Sequence, residues 1–260
     1  MISSDFRTEA RRKLSGKWSK AVFIVLAYMA LTFVIGFIEG LFPESMEEIF
    51  GLVNTIINVP LSFGLVFAFL KLFNGEDVKA FDFATLGFSN FGKSWGVAFQ
   101  IFLKMILPEI AVIIAFVILI VGYVSMGIMA ISTQSAGASV FSVFMLIIGI
   151  ILLVASIVWL ITKSYYYQLA ILVAIDNPDM SGADAVEESQ RLMTGKRASL
   201  FCLELSFIGW AILGAIPFGI GLLWVLPYAH LAKIAFYKYA LGNTDNVEVI
   251  TSDNGTSENM

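Results

Sequence analysis

The placement of lysine and arginine between long apolar runs constrains this chain more than any other feature. Arg7, Arg11, Arg12, Lys13, Lys17 and Lys20 precede the first run, at residues 21–42. Lys71, at the close of the second run (51–73), is followed by Lys79 and Lys93 before the third (96–124). Lys163, Arg191, Lys196 and Arg197 separate the fourth run (140–162) from a final apolar block, and Lys233 and Lys238 lie toward that block's end. The segments around 39–50, 125–139 and 214–221 contain no basic residue, and of the 16 in the chain only Lys104, inside the third run, is left over from these groups. Basic residues collect on the cytoplasmic side of a membrane. The alternation therefore predicts about six crossings with both termini cytoplasmic.

Each run is long enough to cross about 30 Å of hydrocarbon as a helix. Helices are required because the backbone cannot leave polar groups unsatisfied in lipid. The composition agrees, with 58% hydrophobic and 14% charged residues against ~45–50% and ~25% in soluble domains. The block from 200 to 241 is too long for one span. Gly214, Pro217, Gly219 and Gly221 mark its turn, giving spans at 200–214 and 220–241. The expected fold is an all-α polytopic transmembrane bundle, with residues 1–241 as one domain and 242–260 as a disordered cytoplasmic tail. The polar residues before the first run resemble no cleavable leader, so that run is expected to anchor the chain in the cell membrane.

Interfacial amphipathic helices are expected on the cytoplasmic side. Phe6, Ala10, Leu14 and Trp18 recur at i, i+4, which predicts an apolar stripe on the bilayer surface. Arg7, Arg11, Arg12, Lys13 and Lys17 would then meet anionic inner-leaflet lipids. Phe81, Phe83, Phe88, Phe91 and Trp95 suggest a short interfacial helix or re-entrant turn over 78–95. Ser181 with Asp184 reads as a helix start, and Gly195 as the cap after Met193.

The chemistry-bearing residues are few. One His (His230) and one Cys (Cys202) exclude two-histidine zinc motifs and an intrachain disulfide. Gly195-Lys196-Arg197-Ala198 is not a phosphate-binding loop, because position 190 is Gln and no strand precedes it. No catalytic, cofactor or nucleic-acid motif is found. The polar residues within the spans are Lys104, Glu109 and Glu204, with Asn54, Gln100, Gln168 and His230 as neutral or switchable additions. A charge in hydrocarbon costs at least ~2.5–3.5 kcal/mol, so these are functional or structural candidates. A Lys104–Glu204 ion pair is expected to join the third and fifth spans, while unpartnered Glu109 is the candidate for an ion or proton role. The acidic loop of Glu39, Glu44, Glu47 and Glu48 reads as a solvated loop rather than a cation vestibule.

Three blocks carry a family resemblance: Tyr165 through Ala170 with Asp176-Asn177-Pro178; Ala185 through Ser189 to Lys196; and Gly219, Gly221, Leu223-Trp224, Pro227-Tyr228 and Phe236-Tyr237. Together with Ala10, Leu14, Gly16 and Trp18, they resemble the bacterial membrane-protein family known as domain of unknown function 975. The resemblance implies a multi-pass membrane protein with no defined catalytic residues. It draws attention to an inner face of Asp176, Asn177, Ser189, Gly195 and Lys196 as a candidate interaction surface. The expected function is non-catalytic, binding or regulating a membrane partner in transport or envelope processes, or self-associating. The alternative is a small oligomeric transporter or channel using Glu109, Lys104 and Glu204.

Overall fold

The computed structural model describes residues 3–131, 136–216 and 219–242, without the side chains of 44 and 128–139. Every regular element among the described residues is helical: α1 (Ser3–Leu14), α2 (Trp18–Glu39), α3 (Glu47–Asn74), α4 (Asp82–Ser89), α5 (Phe91–Ile131), α6 (Ala136–Tyr166), α7 (Ala170–Asp176), α8 (Gly182–Met193), α9 (Arg197–Ala215) and α10 (Leu222–Ala240). Five segments are long and apolar enough to cross a membrane: α2, α3, the 91–127 part of α5, α6 continued by α7, and α9. The last expected span is also a helix, α10, but His230, Lys233, Lys238 and its tyrosines dilute its apolar character. Past Gly242, the expected tail lies outside the described residues.

The long helices pair as antiparallel hairpins. In α5 the deeply buried positions beyond residue 105 are Pro108, Ala115 and Gly122, and on α6 they are Ser142, Gly149 and Ser156. Each set recurs every seven residues, the repeat that keeps a seam facing a partner helix. Small residues let the backbones approach. A Cβ on Gly149 would stand 2.8 Å from the Leu119 Cα, and Ser125 Oγ donates to Ser142 Oγ at 3.0 Å. At the α9–α10 turn, a Cβ on Gly221 would meet the Gly214 Cα at 2.5 Å, which makes glycine obligatory there.

The basic ends of the hairpins converge on one core, in which Phe6, Phe63, Phe69, Phe83, Leu169, Met193, Phe236 and Tyr237 are buried. Away from it the apolar surface is open: Phe33 is 73% exposed, Leu52 67%, Ile113 61% and Ile212 61%. Contiguous apolar exposure on this scale is foreign to a soluble monomer, and lipid is the solvent that suits it. The 41 residues of α5 extend about 60 Å, twice the hydrocarbon thickness. Its first turns are flanked by charged α8, since a Cβ on Gly182 would meet the Gly96 carbonyl carbon at 2.5 Å.

One expectation about a surface helix changes and one gains detail. The stripe of α1 does not face lipid: Phe6, Ala10 and Leu14 are buried, with Phe6 5.4 Å from Phe236 and 5.5 Å from Tyr239. An apolar stripe can be buried only once, and here α10 buries it. The 78–95 segment contains a short helix, α4, one of the two forms expected of it, and α4 lies along α3. A Cβ on Gly64 would fall 1.9 Å from the Phe83 carbonyl oxygen, and one on Gly87 2.1 Å from that of Pro60. Phe83 therefore enters the core while Phe81 and Phe88 remain exposed.

Candidate functional site

The site is built around the break between α6 and α7. Residues 167–169 interrupt the helical ladder, leaving the Tyr166 carbonyl and the Leu169 amide without intrahelical partners. Ser189 of α8 satisfies both: its Oγ donates to Tyr166 O at 2.8 Å and accepts from Leu169 N at 3.2 Å. α8 is held there by its own start, where Ser181 Oγ accepts from Asp184 N at 3.2 Å. The break turns Tyr165 and Gln168 toward α9 and α10.

There the polar groups meet. Tyr165 donates its hydroxyl to Glu204 Oε2 at 2.6 Å. Lys233 Nζ lies 3.8 Å from Glu204 Oε1 and also donates to Gln168 Oε1. One turn before Lys233, His230 stacks on Phe69 with ring centroids 5.0 Å apart. Two cavities share His230 and Lys233. One of about 250 Å³ is walled by Val66, Ile101, Met105 and Ile171; the other, about 170 Å³, is walled by Leu203, Glu204, Phe207 and Leu226. Lys233 thus stands between two mostly apolar cavities with its charge balanced by one carboxylate. Such a cluster can hold or exchange a proton, or bind a small polar group.

The expected Lys104–Glu204 pair does not form. Glu204 takes Lys233 and Tyr165 because α10 and α6, rather than α5, face it. Lys104 instead lines a groove with Asp184, Glu187, Glu188 and Arg191 of α8. Glu109 sits on an exposed face of α5, one residue past buried Pro108. Glu39 accepts from Asn54 Nδ2 at 2.6 Å.

The inner-face residues are largely engaged within the chain. Ser189, expected on an interaction surface, is fully buried by its task at the helix break. Asp176 pairs with Lys238 at 2.7 Å. The Asn177 and Pro178 carbonyls accept from Lys93 Nζ at 2.5 and 2.7 Å. Lys196 Nζ donates to Ala240 O at 2.8 Å, and Gly195 turns the chain with φ +78°. The N-terminal cations are similarly occupied: Arg12 bonds Glu9 at 2.9 Å, Arg11 lies 5.9 Å from the Tyr228 ring, and Lys13 5.0 Å from that of Phe73. Lys17 reaches Leu72 O at 3.5 Å, and Arg7 is half-buried on α1. Outside the spans, hydrogen bonds from Lys20 and from Arg191 hold the carboxyls of Asp77 and Glu188 below the usual range.

Sequence reasoning missed Lys233 and Tyr165 as members of the cluster. Lys233 follows His230 by three residues on one helical face, a spacing that could have revealed it. Among the described residues no three His, Cys, Asp or Glu side chains group as a metal site. A family model described as a protein of unknown function, DUF975, matches residues 1–243. No curated protein and no solved structure matches the chain.

Proposed function

The chain belongs to the DUF975 family of proteins of unknown function, and from that premise we propose that it is a non-catalytic membrane protein that binds or regulates another membrane protein. The observation that carries this reading is the α5–α6 hairpin. The deeply buried positions of its seam beyond residue 105 are small or imino-acid residues, while Ile113, Phe116, Val154 and Val158 are exposed on its flanks. A helix pair so sparsely covered by its own chain offers long faces to other transmembrane helices. Six crossings, with α10 as the last and both termini in the cytoplasm of a bacterial cell, complete the proposal. The distribution of basic residues supports that orientation.

Photo-crosslinking residues at positions 113 and 154, in cells, test the partner. A discrete adduct with a different protein is expected. Adducts with a second copy alone would make the partner another molecule of this chain, and adducts with lipid alone would overturn the reading. For topology, single cysteines at positions 45 and 187, with Cys202 replaced, should react with an impermeant maleimide from opposite sides. Labelling from one side would refute six crossings.

A second reading, an oligomeric transporter or channel using Glu109, Lys104 and Glu204, is favoured by the two cavities meeting at Lys233. Proton or ion flux in vesicles containing only this protein, abolished by Glu109→Gln or Glu204→Gln, would establish it. Absence of flux would remove it.

A further inference from the structure

A different pair of cations has no carboxylate oxygen within 4.0 Å among the described residues. Lys20, Lys71, Arg191, Lys233 and Lys238 each lie within 4.0 Å of an acidic oxygen. Lys163, at the basic end of α6, and Arg197, the first residue of α9, instead share one aromatic ring. The Lys163 Nζ lies 5.8 Å and the Arg197 guanidinium carbon 4.3 Å from the Tyr166 centroid. A ring face attracts a cation but leaves its N–H donors free. Arg197 lines a groove of about 380 Å³ between α6 and α9, together with Ile161, Thr162, Tyr165, Ala198 and Phe201; Lys163 follows Thr162 directly in the chain, at the rim rather than in the lining. Ile161 is 46% and Phe201 47% exposed, so the wall leading away from the cations is open and apolar.

We propose that this groove binds an anionic phospholipid, its phosphate between Lys163 and Arg197 and an acyl chain along Ile161 and Phe201. Two like charges around one ring repel, and a phosphodiester placed between them turns repulsion into two charge-assisted hydrogen bonds. The opening turn of α9 strengthens the site, because no side chain caps its amides. Lys196 does not compete, since its ammonium is held by Ala240 O. A free inorganic anion would gain nothing from the apolar wall. A zwitterionic headgroup would bring its own cation toward two others. The charge pattern and the wall therefore select one class of occupant.

The test uses the full chain in phosphatidylcholine vesicles containing a minor fraction of spin-labelled phosphatidylglycerol. Lipid immobilisation is read against labelled phosphatidylcholine. The wild type is expected to prefer the anionic lipid. Lys163→Gln with Arg197→Gln should weaken that preference about thirty-fold, at roughly five- to six-fold per basic residue near an anionic surface. Lys163→Arg should keep it, Lys79→Gln should leave it unchanged, and Phe201→Ser should weaken it with the charges intact. If the double variant fails to fold, the Phe201→Ser result and a loss of preference with rising salt decide the matter. The proposal is overturned if the double variant binds normally or if Lys79→Gln costs as much. It is equally overturned if inorganic phosphate alone releases the lipid completely.

Discussion

Replacing Ser189 with Ala perturbs a single atom on which two helices depend. Its Oγ serves Tyr166 O and Leu169 N at 2.8 and 3.2 Å, and both Ser189 and Leu169 are 0% exposed. Water cannot substitute without opening the core. Stranding a buried donor or acceptor costs about 1–3 kcal/mol, so Ser189→Ala should destabilise the chain by about 2–4 kcal/mol. For a chain of this size that lowers the melting temperature on the order of 10 °C. Thermal unfolding in mild detergent, followed by circular dichroism, reads the shift. Ser206→Ala is the control, because Ser206 Oγ donates to Leu203 O within its own helix and bridges no break between helices. A shift for Ser189→Ala no larger than that of the control would refute the claim that α8 repairs the break.

Gly64→Ala places a methyl 1.9 Å from the Phe83 carbonyl and should detach α4, read as new protease cleavage between residues 75 and 90. Gly36→Ala, where a Cβ meets nothing within 4 Å, should be tolerated, and equal behaviour of the two would contradict the α3–α4 packing. Lys233→Met leaves Glu204 without its cation, and adding Glu204→Gln should recover about 1 kcal/mol or more of the lost stability in a double-mutant cycle; strict additivity would deny the coupling. The Glu188 carboxyl is held low by Arg191, so the stability it contributes is present above the ordinary carboxylate range and is lost as pH falls through its depressed folded value. The acid-side slope of the melting temperature should flatten slightly in Glu188→Gln, since an exposed pair contributes little.

The helices were legible because lipid enforces long uninterrupted runs. Residues 51–73 and 200–214 became α3 and α9 with shifts of a few positions. The limits of α8 followed from Ser181 and Gly195, whose roles are local. What depends on helices meeting was harder to read. Hydropathy said where Glu204 lies along α9 but not which helix faces it, and so paired it with Lys104 instead of Lys233. Amphipathicity showed that α1 has an apolar stripe but not whether lipid or α10 receives it. The seven-residue spacing of Ala115 and Gly122, mirrored by Ser142 and Gly149, was present in the sequence. It was hidden because small residues leave little mark on a hydropathy profile.

Three lysines tie off the ends of helices other than their own: Lys17 on α3, Lys93 just past α7 and Lys196 on α10. In the proposed topology, those ammonium groups are also among the charges that direct which way each hairpin threads. In the finished molecule they are knots across the open ends of α2–α3, of α5 with α6–α7, and of α9–α10, and a knot can be drawn only after both cords are in place. Assembly then has a fixed order, with threading first and fastening second. An uncharged replacement would leave two distinct scars: an inverted hairpin if the first step fails, or a correctly inserted but loosened bundle if only the second does.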